Sequence, residues 1–493
     1  MNIVLLYGIY VLLYIPIEVV FLVLLLNFLI YNIIVFAINK YYFFSQKEAR
    51  LNASPYSKVV NYQDNFFNWI ETPLNLSYNC MTVKMKGRFN VENFKTDLSD
   101  KIFSGFDENN EALFPKFRQV IKKGILFSTW EYTGEFNVED HVKEQSLDFS
   151  VQGSVENFIC EISKYEINKD KPQWAIYLIT DPKVQDVSYL AWRVHHSLGD
   201  GFSMWRVIFK ICDINLKDEF AGNKLTVSRL TTFQRIMANM KTFLSIPMYL
   251  TDLIIFTTKY NRKYTEGITN EKRIAWSNKL DFEKVRDVKS KTKTTVNDVL
   301  MTLVTESTRR YFTSRSRNDI IDKEVIYGMG VSLDADIDNL QLTNNDAGIL
   351  ILTPTIIEGP FNQLKIINRN MAKMKYELWP FFYSMCLYFL ITLPIPVSLV
   401  RKITGAMAIG IGNYSNVPGP NTKLVWNGVV VDEAYAIVMT SWNQVLAIVF
   451  STYKGKMCLG VKSDCCIMDK PDELVEEMIR VLEEMYLEVN GSS

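Results

Sequence analysis

The chain of 493 residues contains only three histidines, and this scarcity limits the proton chemistry open to it. Imidazole is the side chain that exchanges protons near neutral pH without a strong environmental effect. Three histidines are also too few for most zinc sites, and the seven cysteines form no Cys-x-x-Cys pair. The sequence therefore predicts no metal centre, and it leaves few positions for a histidine base.

Other familiar signals are missing as well. No Gly-x-Ser-x-Gly segment occurs, so a hydrolase with a serine nucleophile has no positive support. The formal net charge is zero and no basic run alternates with aromatic residues, which argues against nucleic acid as a partner. The cysteines are odd in number and scattered, which favours reduced thiols facing the cytosol over a disulfide framework.

Two of the histidines are adjacent, and they lie in the segment Trp192–Gly201, which reads Trp-Arg-Val-His-His-Ser-Leu-Gly-Asp-Gly. An apolar run leads into the pair, and Gly199 and Gly201 flank Asp200 just after it. A positioned base that takes the proton of an attacking hydroxyl contributes roughly 10²–10⁴ in rate. Because glycine tolerates backbone conformations that other residues resist, we expect the two glycines to supply a bend that exposes this base. The segment predicts a general base at a strand-to-loop junction and points towards acyl transfer.

The spacing within this segment leaves two enzyme classes open. It contains both His196-x-x-x-Asp200 and His195-x-x-x-x-Asp200, and the second is the pattern of the glycerol-phosphate acyltransferases. A lone His-x-x-x-Asp recurs by chance, so the alternative is a strand end whose histidines are merely satisfied by hydrogen bonds. The doubled histidine, the two glycines and the apolar approach favour the functional interpretation.

The first 40 residues are strongly apolar. Between Ile3 and Asn39, Glu18 is the only ionisable side chain apart from tyrosines, and Val19–Ile38 has the roughly 20 apolar residues that cross a bilayer. We expect residues 1–40 to form a membrane helix or helical hairpin, with the basic residues that follow it holding the catalytic body in the cytosol. The expected location is the endoplasmic reticulum membrane, with the plasma membrane and the lipid droplet as alternatives.

The rest of the chain alternates between strand and helix patterns, which predicts an α/β fold of two layered halves that meet at a cleft. We place the first half at residues 41–240, a crossover at 241–270 and the second half at 271–493. A further apolar stretch, residues 379–400, contains three prolines. We expect it to lie at a membrane surface or inside the protein, where such breaks are tolerated.

Individual elements follow from local patterns. Ala175–Thr180 and Val187–Val194 predict neighbouring strands joined by a turn, and Phe202–Cys212 has helical spacing. Val429–Thr440 and Gln444–Phe450 predict a second pair of neighbouring strands.

Short motifs spread over residues 72–420 carry a family resemblance. They are Pro73–Leu76, Pro172-Gln173-Trp174, Val194–Gly201, Asn297-Asp298-Val299 and Ser415–Pro420. In this order and spacing, the chain resembles the wax ester synthase/diacylglycerol acyltransferase family, within the CoA-dependent acyltransferase superfamily. The resemblance implies two chloramphenicol-acetyltransferase-like α/β domains around a central cleft or tunnel. It also implies direct transfer of a fatty acyl group from acyl-CoA, as substrate and without a cofactor, to a long-chain alcohol or diacylglycerol.

The resemblance implies roles for individual residues. His196 would act as the base, His195 would support the loop from beneath, and Asp200 would fix the loop through an ion pair with an arginine, for which Arg193 is near in sequence. The residues expected at the substrate cleft are Gly199, Gly201, Pro172, Trp174, Asn297 and Asp298.

Structural roles compete with these assignments at three positions. Trp174 is of a type that dominates buried area, so we expect it to pack at the cleft wall. Asn297 and Asp298 stand near the start of a helix, where these residue types cap routinely. A site role, with Asn297 as a guess for the oxyanion donor, stays open beside capping.

Two other function classes also fit parts of the sequence. Condensation domains of peptide synthetases carry a similar His-His-x-x-x-Asp-Gly motif but work with carrier proteins. A non-catalytic lipid-binding or lipid-transfer protein would keep the fold and the membrane segment. The Asp-Phe-Gly-Trp-Gly motif of the plant-type alcohol acyltransferases is absent, which counts against that branch.

Overall fold

A computed structural model arranges the chain as an α/β fold. The residues that it describes are 58–106, 112–123, 128–134, 136–214, 267–317, 320, 324–332, 342, 346–354, 357–376 and 410–491, together with Val19, Leu22 and Leu26. Apart from these last three residues, the predicted membrane segment 1–40 lies outside the described residues, as do most of the crossover 241–270 and the stretch 379–400. Within the described ranges, no helix is both long enough and apolar enough to cross a membrane.

The strands and helices run in the following order. The strands are β1 (Lys58–Val59), β2 (Tyr78–Lys86), β3 (Gln119–Lys123), β4 (Ser128–Tyr132), β5 (Val142–Ser146), β6 (Trp174–Asp181), β7 (Val184–His195), β8 (Lys272–Leu280), β9 (Glu324–Ser332), β10 (Asp346–Pro354), β11 (Gly412–Val417), β12 (Val425–Trp426), β13 (Val429–Ile437), β14 (Leu446–Tyr453) and β15 (Lys456–Asp464). The helices are α1 (Tyr62–Trp69), α2 (Val91–Leu98), α3 (Ser154–Ile162), α4 (Gly201–Ile211), α5 (Phe282–Thr292), α6 (Val296–Ser314), α7 (Pro360–Tyr376) and α8 (Pro471–Val489).

These strands form two six-stranded sheets and one small sheet. The first sheet has the order β12-β13-β2-β7-β6-β5, the second has the order β10-β9-β11-β14-β15-β8, and β1-β4-β3 form the small sheet. The predicted neighbours β6 and β7 are antiparallel, with Trp174 opposite Val194, which confirms that pairing. Most residues of β6 are buried, because both faces of the first sheet are covered.

One predicted pairing is wrong. Val429–Ile437 does not pair with Leu446–Tyr453: β13 joins β2 in the first sheet, whereas β14 pairs with β15 and β11 in the second. The reason is packing, since Val431 and Ala434 of β13 belong to the core of the first half. A strand from the predicted second half thus completes the sheet that carries the histidines.

The two sheets meet through a mixed cluster of apolar residues. Cys80 and Ala191 of the first sheet lie with Ile437 in one buried cluster, against which Ile274 and Trp276 of β8 pack. Trp276 also stacks on Tyr435 of β13, with ring centroids 5.0 Å apart. This face of the first sheet is the one that bears His195, because Tyr78 and Cys80 of β2 lie opposite His195 and Arg193.

Candidate active site

The histidine pair lies at the end of the long strand β7. His195 is the last residue of the strand, opposite Tyr78 of β2, and its backbone N–H donates to the carbonyl of Gln173. The backbone N–H of His196 donates to the carbonyl oxygen of Ser77 at 2.7 Å. Both residues are therefore anchored by neighbouring backbone before the chain turns into α4.

His195 is buried, with 1% of its surface exposed. Its Nδ1 lies 2.8 Å from the hydroxyl oxygen of Ser197 and accepts the backbone N–H of the same serine at 3.2 Å. On the opposite side of the ring, Nε2 lies 3.7 Å from Oε2 of Glu71. Tyr78 packs edge-on against the ring. These contacts are those of a residue that holds the loop from inside.

His196 is only half-buried, although it is the next residue. Its ring stacks on that of Phe67 in α1, with centroids 3.8 Å apart and planes 13° apart. The stacking fixes the plane of the imidazole while part of the side chain remains accessible. Access to a reacting hydroxyl therefore distinguishes His196 from His195.

The third histidine, His141, lies in the core of the first half. Its ring stacks on Trp174, and its Nδ1 lies 2.8 Å from the carbonyl oxygen of the same residue. Burial lowers the pKa of His141, and the bond to Trp174 only partly opposes this effect. A buried imidazole with its ring between core aromatics is not placed to meet a substrate.

Trp174 and Pro172 of the Pro-x-Trp motif have core contacts. The indole nitrogen of Trp174 donates to the carbonyl of Phe117 at 2.9 Å, and the ring packs among buried aromatic side chains of the first half. Pro172 is buried and its carbonyl accepts the backbone N–H of Trp174. The motif supports the start of β6, the strand that pairs with β7.

Asp200 begins helix α4. It is the N-cap residue, buried, and its Oδ1 accepts the backbone N–H of Ser203 at 2.8 Å. This bond satisfies one of the amides that a helix leaves free at its first turn. Arg193, which is near Asp200 in sequence, stacks its guanidinium over the Tyr78 ring and donates to the carbonyl of Tyr165; the ion pair between Asp200 and an arginine stays a prediction.

The two glycines of the motif are explained by steric space and not by an unusual backbone conformation. Neither Gly199 nor Gly201 has a positive φ, so the expected conformational reason is wrong. A Cβ on Gly199 would lie 2.9 Å from Cβ of Ser203, and one on Gly201 would lie 3.2 Å from both methyl groups of Val417. Glycine is needed here because α4 begins in close contact with its own first turn and with β11.

Asn297 and Asp298 lie at the start of α6, as the sequence predicts. Asp298 forms a capping box with Thr295, whose backbone N–H it accepts at 2.8 Å, and it also accepts a bond from Asn368 of α7. Asn297 differs, because its Oδ1 accepts bonds from Asn416 at 2.8 Å and from the hydroxyl of Tyr414 at 3.3 Å. Asp298 therefore caps, whereas Asn297 connects α6 to β11.

The motif Ser415–Pro420 and the early motif also join the halves. A Cβ on Gly419 would lie 2.8 Å from the indole of Trp205 in α4, so the segment after β11 packs against the helix that follows the histidines. Asn75 of the early motif is buried, donates to the carbonyls of Trp442 and Gln444 at 2.6 and 3.1 Å and accepts the hydroxyl of Thr440 at 2.6 Å. The motifs that lie far apart in sequence thus converge on the region between the two sheets.

Sequence reasoning missed three residues around the histidines. Lys116 forms a 2.6 Å pair with the buried Asp64 and donates to the carbonyls of Ser197 and Leu198 at 3.4 and 3.2 Å. Glu71 and Phe67 contact the two imidazoles. None of these three residues lies in a pattern that marks it in the sequence.

The cysteines and acidic residues offer no metal centre within the described ranges. No group of three or more His, Cys, Asp or Glu side chains in this part of the chain is arranged to hold an ion, and its six cysteines are free thiols. The imidazole of the histidine loop is itself able to supply acid–base chemistry.

Comparison with known proteins shows which proteins the chain is similar to. A family model described as the WS/DGAT C-terminal domain matches residues 343–486. The chain is 22% identical over 470 residues to wax ester synthase/diacylglycerol acyltransferase 10 of Arabidopsis thaliana, which covers 81% of this chain and 93% of that relative. The solved wax ester synthase/diacylglycerol acyltransferase from Marinobacter aquaeolei VT8 matches with a TM-score of 0.58 at 17% identity, over 88% of this chain and 100% of the other.

A second solved structure shares the fold. The first condensation domain of the calcium-dependent antibiotic synthetase matches with a TM-score of 0.56 at 12% identity, over 88% of this chain and 97% of that one. At such identities these structural matches establish the α/β fold and nothing about the substrate.

Proposed function

Because the chain belongs to the wax ester synthase/diacylglycerol acyltransferase family, we propose that it transfers a fatty acyl group from acyl-CoA to a lipid hydroxyl. The acceptor is a long-chain alcohol, which gives a wax ester, or diacylglycerol, which gives triacylglycerol. The observation that carries the proposal is the half-exposed His196, held at the end of β7 by the Ser77 carbonyl and by stacking on Phe67.

The proposed reaction is a direct transfer with both substrates bound. His196 takes the proton of the acceptor hydroxyl while its oxygen attacks the thioester carbonyl. The carbon–sulfur bond then breaks, and the imidazolium returns the proton to the CoA thiolate, so the products are an ester and free CoA. Holding the two substrates together supplies much of the rate, since a bimolecular encounter becomes an intramolecular step.

The substrates are proposed to meet in a cleft or tunnel between two chloramphenicol-acetyltransferase-like halves. Support comes from Asn297, the proposed oxyanion donor, whose amide oxygen is occupied by Asn416 and Tyr414, which leaves the amide nitrogen to donate. Asn416 adjoins Val417, which touches the histidine loop at Gly201. Asn297 is thus connected to the loop through one strand.

The acylation test compares the two adjacent histidines. We expect His196→Ala to abolish ester formation from labelled acyl-CoA with either acceptor, while the protein still folds. His195→Ala costs less activity but more stability, because a buried ring and its bonds to Ser197 are lost. Membranes carrying each variant are incubated with labelled acyl-CoA and fatty alcohol or diacylglycerol, and circular dichroism checks folding.

Full activity of His196→Ala would remove the proposed mechanism. If the parent protein made no ester with either acceptor, the non-catalytic lipid-binding function would be favoured. Product formed only from a carrier-bound acyl group would instead favour the condensation-type reaction that the shared fold permits.

We also propose that the protein works at a membrane, with the endoplasmic reticulum as its location and the histidine loop on the cytosolic side. Residues 1–40 have the apolar length for an anchor, and Val19, Leu22 and Leu26 are helical and exposed, at positions that share one helix face. Replacing Leu22 and Leu26 by lysine should move the protein from the membrane pellet towards the supernatant after alkaline extraction. The Val151→Lys variant, an exposed apolar residue of the first half, is the control and should stay in the pellet.

A further inference from the structure

Glu71 is a buried carboxylate directly beneath the histidine loop, and the proposed mechanism does not use it. Only 8% of its surface is exposed, and Oε2 lies 3.7 Å from Nε2 of His195. Among the described residues, neither Oε1 of Glu71 nor Nε2 of His195 has a hydrogen-bond partner. Buried polar groups are normally satisfied, so this carboxylate and this ring nitrogen are placed to satisfy each other.

The other side of the His195 ring determines where its proton lies. The backbone N–H of Ser197 donates to Nδ1 at 3.2 Å, and a backbone amide cannot do otherwise than donate. Nδ1 must therefore be the bare nitrogen, and the ring proton is on Nε2, which faces Glu71. The Ser197 hydroxyl, 2.8 Å from Nδ1, then donates as well.

Glu71 is in its charged form in this environment. Burial raises the pKa of Glu71, but the neighbouring His195, Lys169 and a hydrogen bond from the backbone of Ser77 together outweigh burial and bring the pKa below its ordinary value. A carboxylate opposite Nε2 favours the tautomer that carries its proton there. The same logic orients a catalytic histidine in hydrolase triads, where the carboxylate selects the tautomer.

Together these contacts close a short turn around the proposed base. His195 holds the backbone of Ser197 through Nδ1, and His196 lies between these two residues with its own N–H on Ser77. If the proton of His195 moved to Nδ1, the bond from the Ser197 amide would be lost and two donors would face each other. The direction of the His196 side chain would then no longer be fixed from its C-terminal side.

We propose that Glu71 is a positioning residue for acyl transfer, which acts through His195 by holding that ring in the Nε2–H tautomer and thereby fixing the turn that presents His196. This inference rests on the proposed function. Glu71 touches neither substrate nor base in this role, so it should affect the rate of the bound complex and not the binding of acyl-CoA.

The kinetic test uses two substitutions at Glu71 and two at a matched position. Glu71→Leu removes the acceptor, and Glu71→Gln keeps the size and one acceptor oxygen. We expect Glu71→Leu to lower kcat by about 10²-fold, the loss typical of a slightly misplaced group, with KM for acyl-CoA within about twofold of the parent. Glu71→Gln should restore most of kcat. Glu156→Leu and Glu156→Gln, at a half-buried glutamate on α3, are the controls and should leave kcat unchanged.

A second measurement does not depend on activity. Because the chain has only three histidines, nitrogen NMR of protein labelled at histidine gives few ring signals, and the His195→Gln variant identifies those of His195. In the parent, His195 should show a bare Nδ1 and a protonated Nε2. In Glu71→Leu, part of the population should shift to the other tautomer, and Glu71→Gln should show a smaller shift.

The outcomes separate this inference from the proposed function. An unchanged His195 tautomer in Glu71→Leu, or an unchanged kcat, would overturn the positioning role while the parent enzyme still made ester. A rise in KM with constant kcat would also contradict it. If the parent made no ester, the proposed function would fail, and the tautomer measurement alone would decide whether Glu71 holds His195. If Glu71→Leu did not fold, Glu71→Gln would decide on both readouts.

Discussion

The two halves of the molecule are stabilised by the same two kinds of interaction, an aspartate helix cap and an ion pair between a lysine and a buried aspartate. In the first half, Asp200 caps α4 and Lys116 pairs with the buried Asp64 at 2.6 Å. In the second half, Asp281 caps α5 and the buried Lys272 pairs with Asp464, also at 2.6 Å. Capping and buried pairing alone therefore do not mark a functional site.

The two halves differ in what the lysine of the buried ion pair contacts beyond its aspartate. Lys116 reaches past Asp64 to the carbonyls of Ser197 and Leu198, the two residues that follow His196. Among the described residues, Lys272 donates to Asp464, which is otherwise held by Thr269 and the amide of Cys466. In the first half the buried ion pair is thus continued to the histidine loop, whereas the pair in the second half contacts its local turn.

The largest expected effect on stability and turnover comes from removing the lysine of the buried ion pair in each half. Lys116→Met removes the cation that pairs with the buried Asp64 and leaves it the weaker 3.3 Å bond from the indole of Trp130, which costs about 3 kcal/mol of unfolding free energy. Lys272→Met should cost less, because Asp464 keeps its bonds from Thr269 and Cys466. The turnover of the folded fraction should fall about tenfold only in Lys116→Met, since a slightly displaced loop loses rate steeply. Urea unfolding and kcat at saturating substrate measure the two effects separately.

A compensated variant sharpens this result. Lys116→Met combined with Asp64→Leu removes both charges, so stability should return while turnover stays low, because the loop carbonyls still lack their donor. Recovery of both properties together would show that the pair serves stability alone. A loss of turnover in Lys272→Met, at full folding, would erase the difference between the halves.

Local sequence signals predicted the elements around the loop but not all of their partners. The alternating and apolar patterns of 175–180 and 187–194 specify β6 and β7, because a short turn forces neighbouring strands to pair. The same reasoning failed for Val429–Ile437. Strands that are consecutive in sequence usually pair, but this strand joins the first sheet because its buried residues pack in the core of the first half. A strand partner that is set by packing against residues far away in sequence cannot be predicted from the local sequence pattern.

In the candidate site, too, some residues could be predicted from residue type and spacing, whereas others are recognised only in the folded structure. The doubled histidine and Asp200 are identified by residue type and spacing, since few side chains serve as a base or a cap. Glu71, Phe67 and Lys116 could not be identified, because their roles arise only when α1 and the segment before β3 fold against the loop. The structural reason for Gly201 could not be predicted either, because it depends on Val417, more than 200 positions away.

A smaller effect is expected from removing one cap in each half. Asp200→Ala loses the bond to the Ser203 amide and should cost about 1–2 kcal/mol, whereas Asp281→Ala removes an exposed bond to the Glu283 amide and should cost about 0.5–1 kcal/mol. Only Asp200→Ala should also lower kcat, because the cap fixes the first turn of α4 directly after the histidine loop. Thermal unfolding and acyl transfer per folded molecule provide the two measurements.

Asparagine at position 200 separates the effect of the helix cap from the effect of the negative charge. Asparagine caps helices about as well as aspartate, so Asp200→Asn should regain the stability lost in the alanine variant. If kcat returns with it, alignment of the helix is the whole contribution of Asp200 to the reaction. If stability returns and kcat does not, the negative charge of Asp200 acts on the loop beyond the cap, and the first half then differs from the second in chemistry as well as in placement.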